Sequence, residues 1–61
     1  MRATHYHSAS RGPVKISTMV LEHARHAMNK LVREEPHRAD EIEGLRAHVA
    51  QLEAQAAGGA Q

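Results

Sequence analysis

The stretch from Ser17 to Leu52, STMVLEHARHAMNKLVREEPHRADEIEGLRAHVAQL, decides the fold. Apolar residues recur through it at intervals of three and four, which is the spacing of one face of an α-helix. Pro36 divides the stretch, because the residue before a proline is pushed out of the α region. The sequence therefore predicts two amphipathic helices, one before the proline and one after it.

The first helix is predicted over about residues 17–35. Ser17 or Thr18 can cap its N-terminus, and Glu22 lies in an early turn, where the helix dipole favours an acid. Its apolar face is broad, because a line of residues at 3-4-3 spacing is flanked by further apolar side chains. The residues of this face that we predict to contact a partner or a second copy are Val20, Leu21, Ala24, Met28 and Leu31.

The second helix is predicted over about residues 39–57, with Asp40 and Glu41 in its first turn. Its apolar residues follow the 3-4-3 spacing of a heptad seam, which indicates coiled-coil-like contact. Gly44 either weakens this helix or allows a close crossing, and the sequence leaves both readings open. The seam residues predicted for self-association or partner binding are Ile42, Leu45, Val49 and Leu52.

The connection at residues 35–38 is short enough for an antiparallel helical hairpin. A chain of 61 residues without cysteine buries little apolar surface and has no disulfide to stabilise it. A broad face on one helix and a narrow seam on the other suit a hairpin that doubles into a four-helix bundle. The sequence therefore predicts an all-α homodimer.

The two ends of the chain are predicted to lie outside the helical hairpin of residues 14–57. Residues 1–13 are polar, show no period and are predicted to be a flexible arm. Residues 58–61 begin with two glycines and are predicted to be a disordered tail. The sequence has no cysteine, no apolar run of membrane-spanning length and no apolar leader segment, so we expect a cytoplasmic protein without membrane contact.

The charges are unevenly placed, although the net charge is only +1. Residues 1–33 carry six of the eight Lys and Arg residues, whereas residues 34–61 carry six of the seven acids. Nucleic-acid binding is usually signalled by a chain that is basic throughout or by a dense Lys/Arg run, and this sequence has neither. It has one aromatic residue, Tyr6, so stacking on bases has little support.

One alternative reading starts from residues 14–17, where apolar and polar residues alternate as in a short strand. A strand followed by two helices resembles the layout of ribbon-helix-helix DNA-binding dimers, which read the major groove with a β-ribbon. The resemblance covers residues 14–52 by layout, and the link Pro36-His37 departs from the glycine-then-polar turn of that family. It implies a transcriptional regulator, with Arg11 and Lys15 as the nucleic-acid contacts.

The residues that could carry chemistry do not form a recognisable site. The His5–His7 pair and the i, i+3 pair His23 and His26 do not form the i, i+4 motif H-E-x-x-H of helical zinc sites, and the sequence has no cysteine. There is no nucleophile motif and no glycine-rich phosphate loop. We therefore expect no enzyme, no metal and no cofactor.

Protein binding fits the pattern best. The broad apolar face of the first helix is wider than one partner helix covers, and amphipathic helices commonly dock in the groove of another protein. Methionine side chains such as Met28 adapt to imperfect surfaces. The sequence predicts a small regulatory or inhibitory protein that binds another protein through an amphipathic helical surface.

Overall fold

A computed structural model describes residues 2–59 of the chain. It contains two β-strands, β1 (His5–Ser8) and β2 (Gly12–Lys15), a 3-10 turn (Ile16–Thr18) and two α-helices, α1 (Leu21–Glu34) and α2 (Ala39–Gly59). The helices pack against each other, and the β-hairpin and the 3-10 turn pack against α2. The fold is therefore a helical pair covered on one side by a β-hairpin.

The prediction of an all-α chain is wrong, and so is that of a flexible N-terminal arm. β1 and β2 pair antiparallel, with Tyr6 opposite Val14 and His7 opposite Pro13. Tyr6 is 6% exposed and packs in the core, so the aromatic side chain anchors a hairpin that is too short to be stable by itself. The chain is an α+β protein rather than a helical hairpin or a four-helix bundle.

The helix ends also differ from the predicted ones. Residues 16–18 form a 3-10 turn, in which the Thr18 hydroxyl donates to the carbonyl oxygen of Lys15 at 2.7 Å. The α-helix therefore begins at Leu21, about four residues later than predicted, with Val20 in extended conformation at its N-cap. α2 runs to Gly59, two residues beyond the predicted end. Position 1 of the predicted arm and positions 60 and 61 of the predicted tail lie outside the described residues.

The core lies where the hairpin, the 3-10 turn and both helices meet. Leu31 of α1 and Leu45 of α2 are fully buried, and they join the two helices. Tyr6 and Ile16 extend this core beneath the hairpin. The buried apolar residues are Tyr6, Ile16, Met19, Ala24, Ala27, Leu31, Ile42, Leu45 and Val49.

The outer edge of β1 is held by two side chains from the start of α2. The His7 N–H donates to Glu41 Oε1 at 2.8 Å, and Arg38 Nη2 donates to the His7 carbonyl oxygen at 2.9 Å. Both backbone groups that the edge strand presents at His7 are thus paired, as a neighbouring strand would pair them. The guanidinium also lies over the Tyr6 ring, 5.6 Å from its centroid.

Arg38 and Glu41 also form hydrogen bonds with each other, and these bonds shift the pKa values of both groups. Arg38 Nε donates to Glu41 Oε2 at 2.9 Å, and Arg38 Nη1 donates to Glu35 at 3.0 Å. The hydrogen bond from Arg38 lowers the pKa of Glu41 from its ordinary 4.5 to about 2, against the opposing effect of burial, and the His7 N–H adds to the lowering. The hydrogen bond to Glu41 in turn raises the pKa of Arg38. Both groups are charged at neutral pH, and the pair is only partly exposed.

Glu41→Gln should lower the free energy of unfolding at pH 7 by about 2 kcal/mol, because it removes the charge-assisted bonds at the hairpin edge. The pKa of Glu41 is depressed in the fold to about 2, so its contribution is complete above pH 4.5 and is lost as the pH falls towards 2. Wild type should therefore lose more stability than the variant across this interval. Urea unfolding followed by circular dichroism at a series of pH values measures the free energy of unfolding at pH 7 and its loss at lower pH.

The exposed residue Glu43 supplies the matched control, because Glu43→Gln removes the same charge two residues along α2, on the other side of the helix beside Ile42 and Arg46. We expect its stability to follow the wild-type pH dependence. Parallel curves for wild type and Glu41→Gln between pH 5 and 2.5 would contradict the assigned role of Glu41.

Gly44 marks the point where the N-terminal segment crosses α2. A Cβ atom at this position would lie 2.5 Å from the carbonyl oxygen of Ala3 and 3.1 Å from Cδ1 of Ile16. The Ala3 N–H donates to the carbonyl oxygen of Asp40 at 3.0 Å, which fixes the crossing segment against the helix. Of the two readings that the sequence left open, the structure supports the close crossing.

Gly44→Ala should destabilise the protein by about 1–3 kcal/mol, because the added methyl group meets backbone that the Asp40 hydrogen bond holds in place. The direction of the change in stability is informative, since alanine at an unobstructed helix position is favoured over glycine by about 1 kcal/mol. Thermal and urea unfolding measure the change. Ala50→Gly, at an exposed position of α2, calibrates the propensity difference; a stabilised Gly44→Ala protein would rule out the close crossing.

Candidate functional site

The side of the helical pair that faces away from the hairpin is uncovered. Leu21, Met28 and Val32 lie on one line along α1, at intervals of seven and four residues. Ala27 faces the hairpin beside Tyr6 and therefore lies on a different side of α1 from this line. We call the uncovered surface the open helical face, and its apolar residues are Leu21, Met28, Val32, Pro36, Ala39 and Ile42.

The open helical face is apolar along its centre. Val32 is 51% exposed, although it belongs to a helix whose other large aliphatic residues are buried or half-buried. It lines a shallow hollow of about 420 Å³ between the helix ends, together with Pro36, Ala39 and Ile42. An apolar hollow between two helices is the surface on which a further helix can pack.

The rim of this face carries charges of both signs. Glu43 and Arg46 border the hollow, and within residues 2–59 neither takes part in an ion pair. Farther along, Arg25 of α1 and Glu53 of α2 bridge the two helices at 2.7 Å, with about half of each side chain exposed. The face thus combines an apolar centre with one unpaired acid and one unpaired base, a pattern common in protein interfaces.

A second surface lies on the hairpin side, between β1 and α1. It is a groove of about 250 Å³, and the hairpin contributes Tyr6 and Ser8 to its wall. We call it the cationic groove, because the helix contributes Lys30 and Arg33 to it, together with the imidazole rings of His23 and His26. The groove is lined by Tyr6, Ser8, His23, His26, Ala27, Lys30 and Arg33.

The outer face of the hairpin is the third exposed surface. His5, His7, Pro13 and Lys15 alternate with the inward-facing residues and are exposed. Pro13 has no N–H to present at the outer edge of β2, which protects this edge against pairing with another strand. The alternative reading expected a strand at residues 14–17; the strand instead ends at Lys15 and is paired with β1 of the same chain.

The residues predicted to mediate association fall into two groups. Ala24, Leu31, Ile42, Leu45 and Val49 belong to the buried core, so the heptad seam of α2 packs against the chain's own α1 and hairpin. The others reach the surface: Leu21, Met28 and Leu52 are half-buried and Val20 is 68% exposed. The predicted nucleic-acid contacts Arg11 and Lys15 are both exposed, at the hairpin turn and at the end of β2.

Sequence reasoning missed Val32 as a site residue, because periodicity places it on a flank of the broad apolar face and does not reveal which flank a β-hairpin covers. It places Lys30 and Arg33 on the polar side of the first helix but does not reveal the groove that they line. A weak signal for the hairpin was present, since Tyr6 stands alone among polar residues and Gly12-Pro13 is a turn signal. Gly12 has φ 72°, the left-handed conformation that glycine adopts at such turns.

The histidines are dispersed over the surface. Within residues 2–59, no three His or carboxylate side chains come together as metal ligands would. His48 is used inside the fold, because its Nε2 lies 2.8 Å from the carbonyl oxygen of Met19 and ties α2 to the segment before α1. No helix among the described residues is both long and apolar enough to cross a membrane.

Comparison with protein-family models, with curated proteins and with solved structures finds no match for this chain.

Proposed function

We propose that the chain is a small, non-enzymatic regulatory or inhibitory protein that binds an amphipathic helix of another protein on its open helical face. The observation that carries this proposal is the exposure of Val32 beside Met28 and Ile42, on the side of the helical pair that the hairpin leaves uncovered. A helix laid there would pack on both α1 and α2, because the hollow runs between them.

The charges on the rim define the chemistry of the partner. A docking helix with a basic residue near Glu43 and an acidic residue near Arg46 would pair both groups, which have no ion pair among the described residues. The apolar centre of the face would bury the apolar side chains of the docking helix, and the charged rim would determine the orientation of that helix. The hollows are open and shallow, and this suits a bound chain better than an enclosed substrate.

A homodimer would use the same apolar face and is the competing occupant. It would bury Val32 of both copies symmetrically, as expected for a chain of this length with an uncovered apolar strip. A cytoplasmic location belongs to the same proposal and is supported by the absence of cysteine from the sequence.

Val32→Asp should abolish capture of the partner while leaving the fold intact, because the side chain is half-exposed and the introduced charge would be buried only in the complex. Gln51→Asp is the matched control, since it introduces the same charge at an exposed position of α2 beside the opposite hollow. Wild type and both variants are used as baits in source-cell lysate treated with nuclease. The retained protein is then purified and titrated by calorimetry.

We expect Gln51→Asp to bind like wild type and Val32→Asp to lose affinity at least about tenfold, or about 1.4 kcal/mol. Glu43→Arg and Arg46→Glu should each weaken binding, and partner substitutions of opposite charge should restore it. Equal binding by Val32→Asp and wild type would refute the proposed face. Sedimentation of the bait alone shows whether the occupant is instead a second copy, since the dimer would then dissociate with Val32→Asp.

A further inference from the structure

The cationic groove collects basic side chains on the side of α1 away from the open helical face. His23, His26, Lys30 and Arg33 follow one another at 3-4-3 spacing, so they form a single stripe along the helix. The stripe spans ten residues, or about 15 Å at the helical rise. It runs beside β1, and no carboxylate of residues 2–59 lines the groove between them.

Among the described residues, Lys30 has no ion-pair partner and Arg33 has only an exposed one, so the charge of this groove is little neutralised. Lys30 makes no ion pair with any residue in the described part of the chain. Arg33 pairs with Glu34 at 3.3 Å, but both side chains are more than half exposed, so the contact is screened and easily exchanged. The other acid on α1, Glu22, is exposed and does not line the groove.

The hairpin gives the groove a fixed second wall. Tyr6 is buried against the helices, and Arg38 and Glu41 hold the adjacent residue His7 by its backbone. At the end of β1 the Ser8 hydroxyl accepts the backbone N–H groups of Ser10 and Arg11 at 3.3 and 3.4 Å. This organises the turn that contains Arg11, an exposed residue that does not line the groove.

The spacing of the cations defines the class of ligand. A single phosphate would need convergent donors, whereas these side chains are spread over about 15 Å. Each strand of duplex DNA carries one phosphate per 3.4 Å of axis, so the stripe is long enough to face several phosphates in succession. A membrane surface is less suitable, because interfacial binding needs exposed apolar side chains beside the basic ones, and here those lie on the opposite face.

We propose that the cationic groove binds the phosphodiester backbone of a nucleic acid, with Lys30 and Arg33 as the main phosphate contacts. This site is independent of the open helical face. It differs from the ribbon-helix-helix reading, because the phosphate contacts come from α1 rather than from Arg11 and Lys15 of the hairpin. Its contacts are to the backbone, so binding is expected to be salt-dependent and to show little sequence preference.

The test compares three variants that change the charge equally at different places. Lys30→Glu alters the groove, Arg46→Glu alters the rim of the open helical face, and Lys15→Glu alters the outer face of the hairpin. Binding of a fluorescent 20-base-pair duplex of mixed sequence is measured by anisotropy at 50 to 200 mM salt. A single-stranded RNA probe, inorganic phosphate as competitor and vesicles containing phosphatidylserine complete the set of ligands.

We expect Lys30→Glu to weaken duplex binding at least about tenfold and to lower the slope of log K against log salt by about one, with little effect of Arg46→Glu and Lys15→Glu. Circular dichroism verifies folding, and Lys30→Gln should give a smaller loss in the same direction. Equal losses for all three variants would mean non-specific attraction and overturn the proposal. It would also be overturned by a loss confined to Lys15→Glu, by vesicle binding without duplex or RNA binding, or by no binding at 50 mM salt.

Discussion

The pairing of Arg38 and Glu41 with the backbone of His7 is the interaction on which the rest of the structure depends. A two-stranded hairpin of four-residue strands does not persist in water without support, and its outer edge would expose unpaired N–H and C=O groups. The two side chains act at that edge as a third strand would. They stand three residues apart at the beginning of α2, so one helical turn provides the donor and the acceptor together.

Because β1 is held at this position, Tyr6 lies in the core, and the segments before and after the hairpin must pass over α2. The segment before β1 must cross α2 at Gly44, where the distance from the Ala3 carbonyl oxygen leaves no room for a side chain. The hairpin and the 3-10 turn then cover the flank of α2 that bears His48. This explains why the heptad seam of α2, with Leu45 at its centre, is buried within one chain instead of between two.

The sequence predicts the helices well, because Pro36 and the 3-4 spacing are local signals that tertiary contacts do not override. The hairpin was not predictable to the same degree, since its stability comes from Arg38 and Glu41, more than thirty residues away. Read locally, Glu41 is only an acid in the first turn of a helix, and Tyr6 is an isolated aromatic residue. The position of the site depends on the hairpin as well, because the hairpin determines which flank of α1 stays uncovered and leaves Val32 at the surface.

The same arrangement separates the surface chemistry of α1 into two opposite kinds. The flank of α1 beside β1 carries His23, His26, Lys30 and Arg33, and no carboxylate of the described residues lines it. The opposite flank belongs to the open helical face and carries Met28 and Val32. Three acids of the C-terminal half are engaged away from the groove, since Glu41 and Glu35 bind Arg38 and Glu53 binds Arg25. A net charge of +1 therefore conceals a strongly divided surface. Because the two flanks lie on opposite sides of one helix, a protein and a polyanion could occupy them simultaneously without contact, and the rigid α1 between them would set their separation.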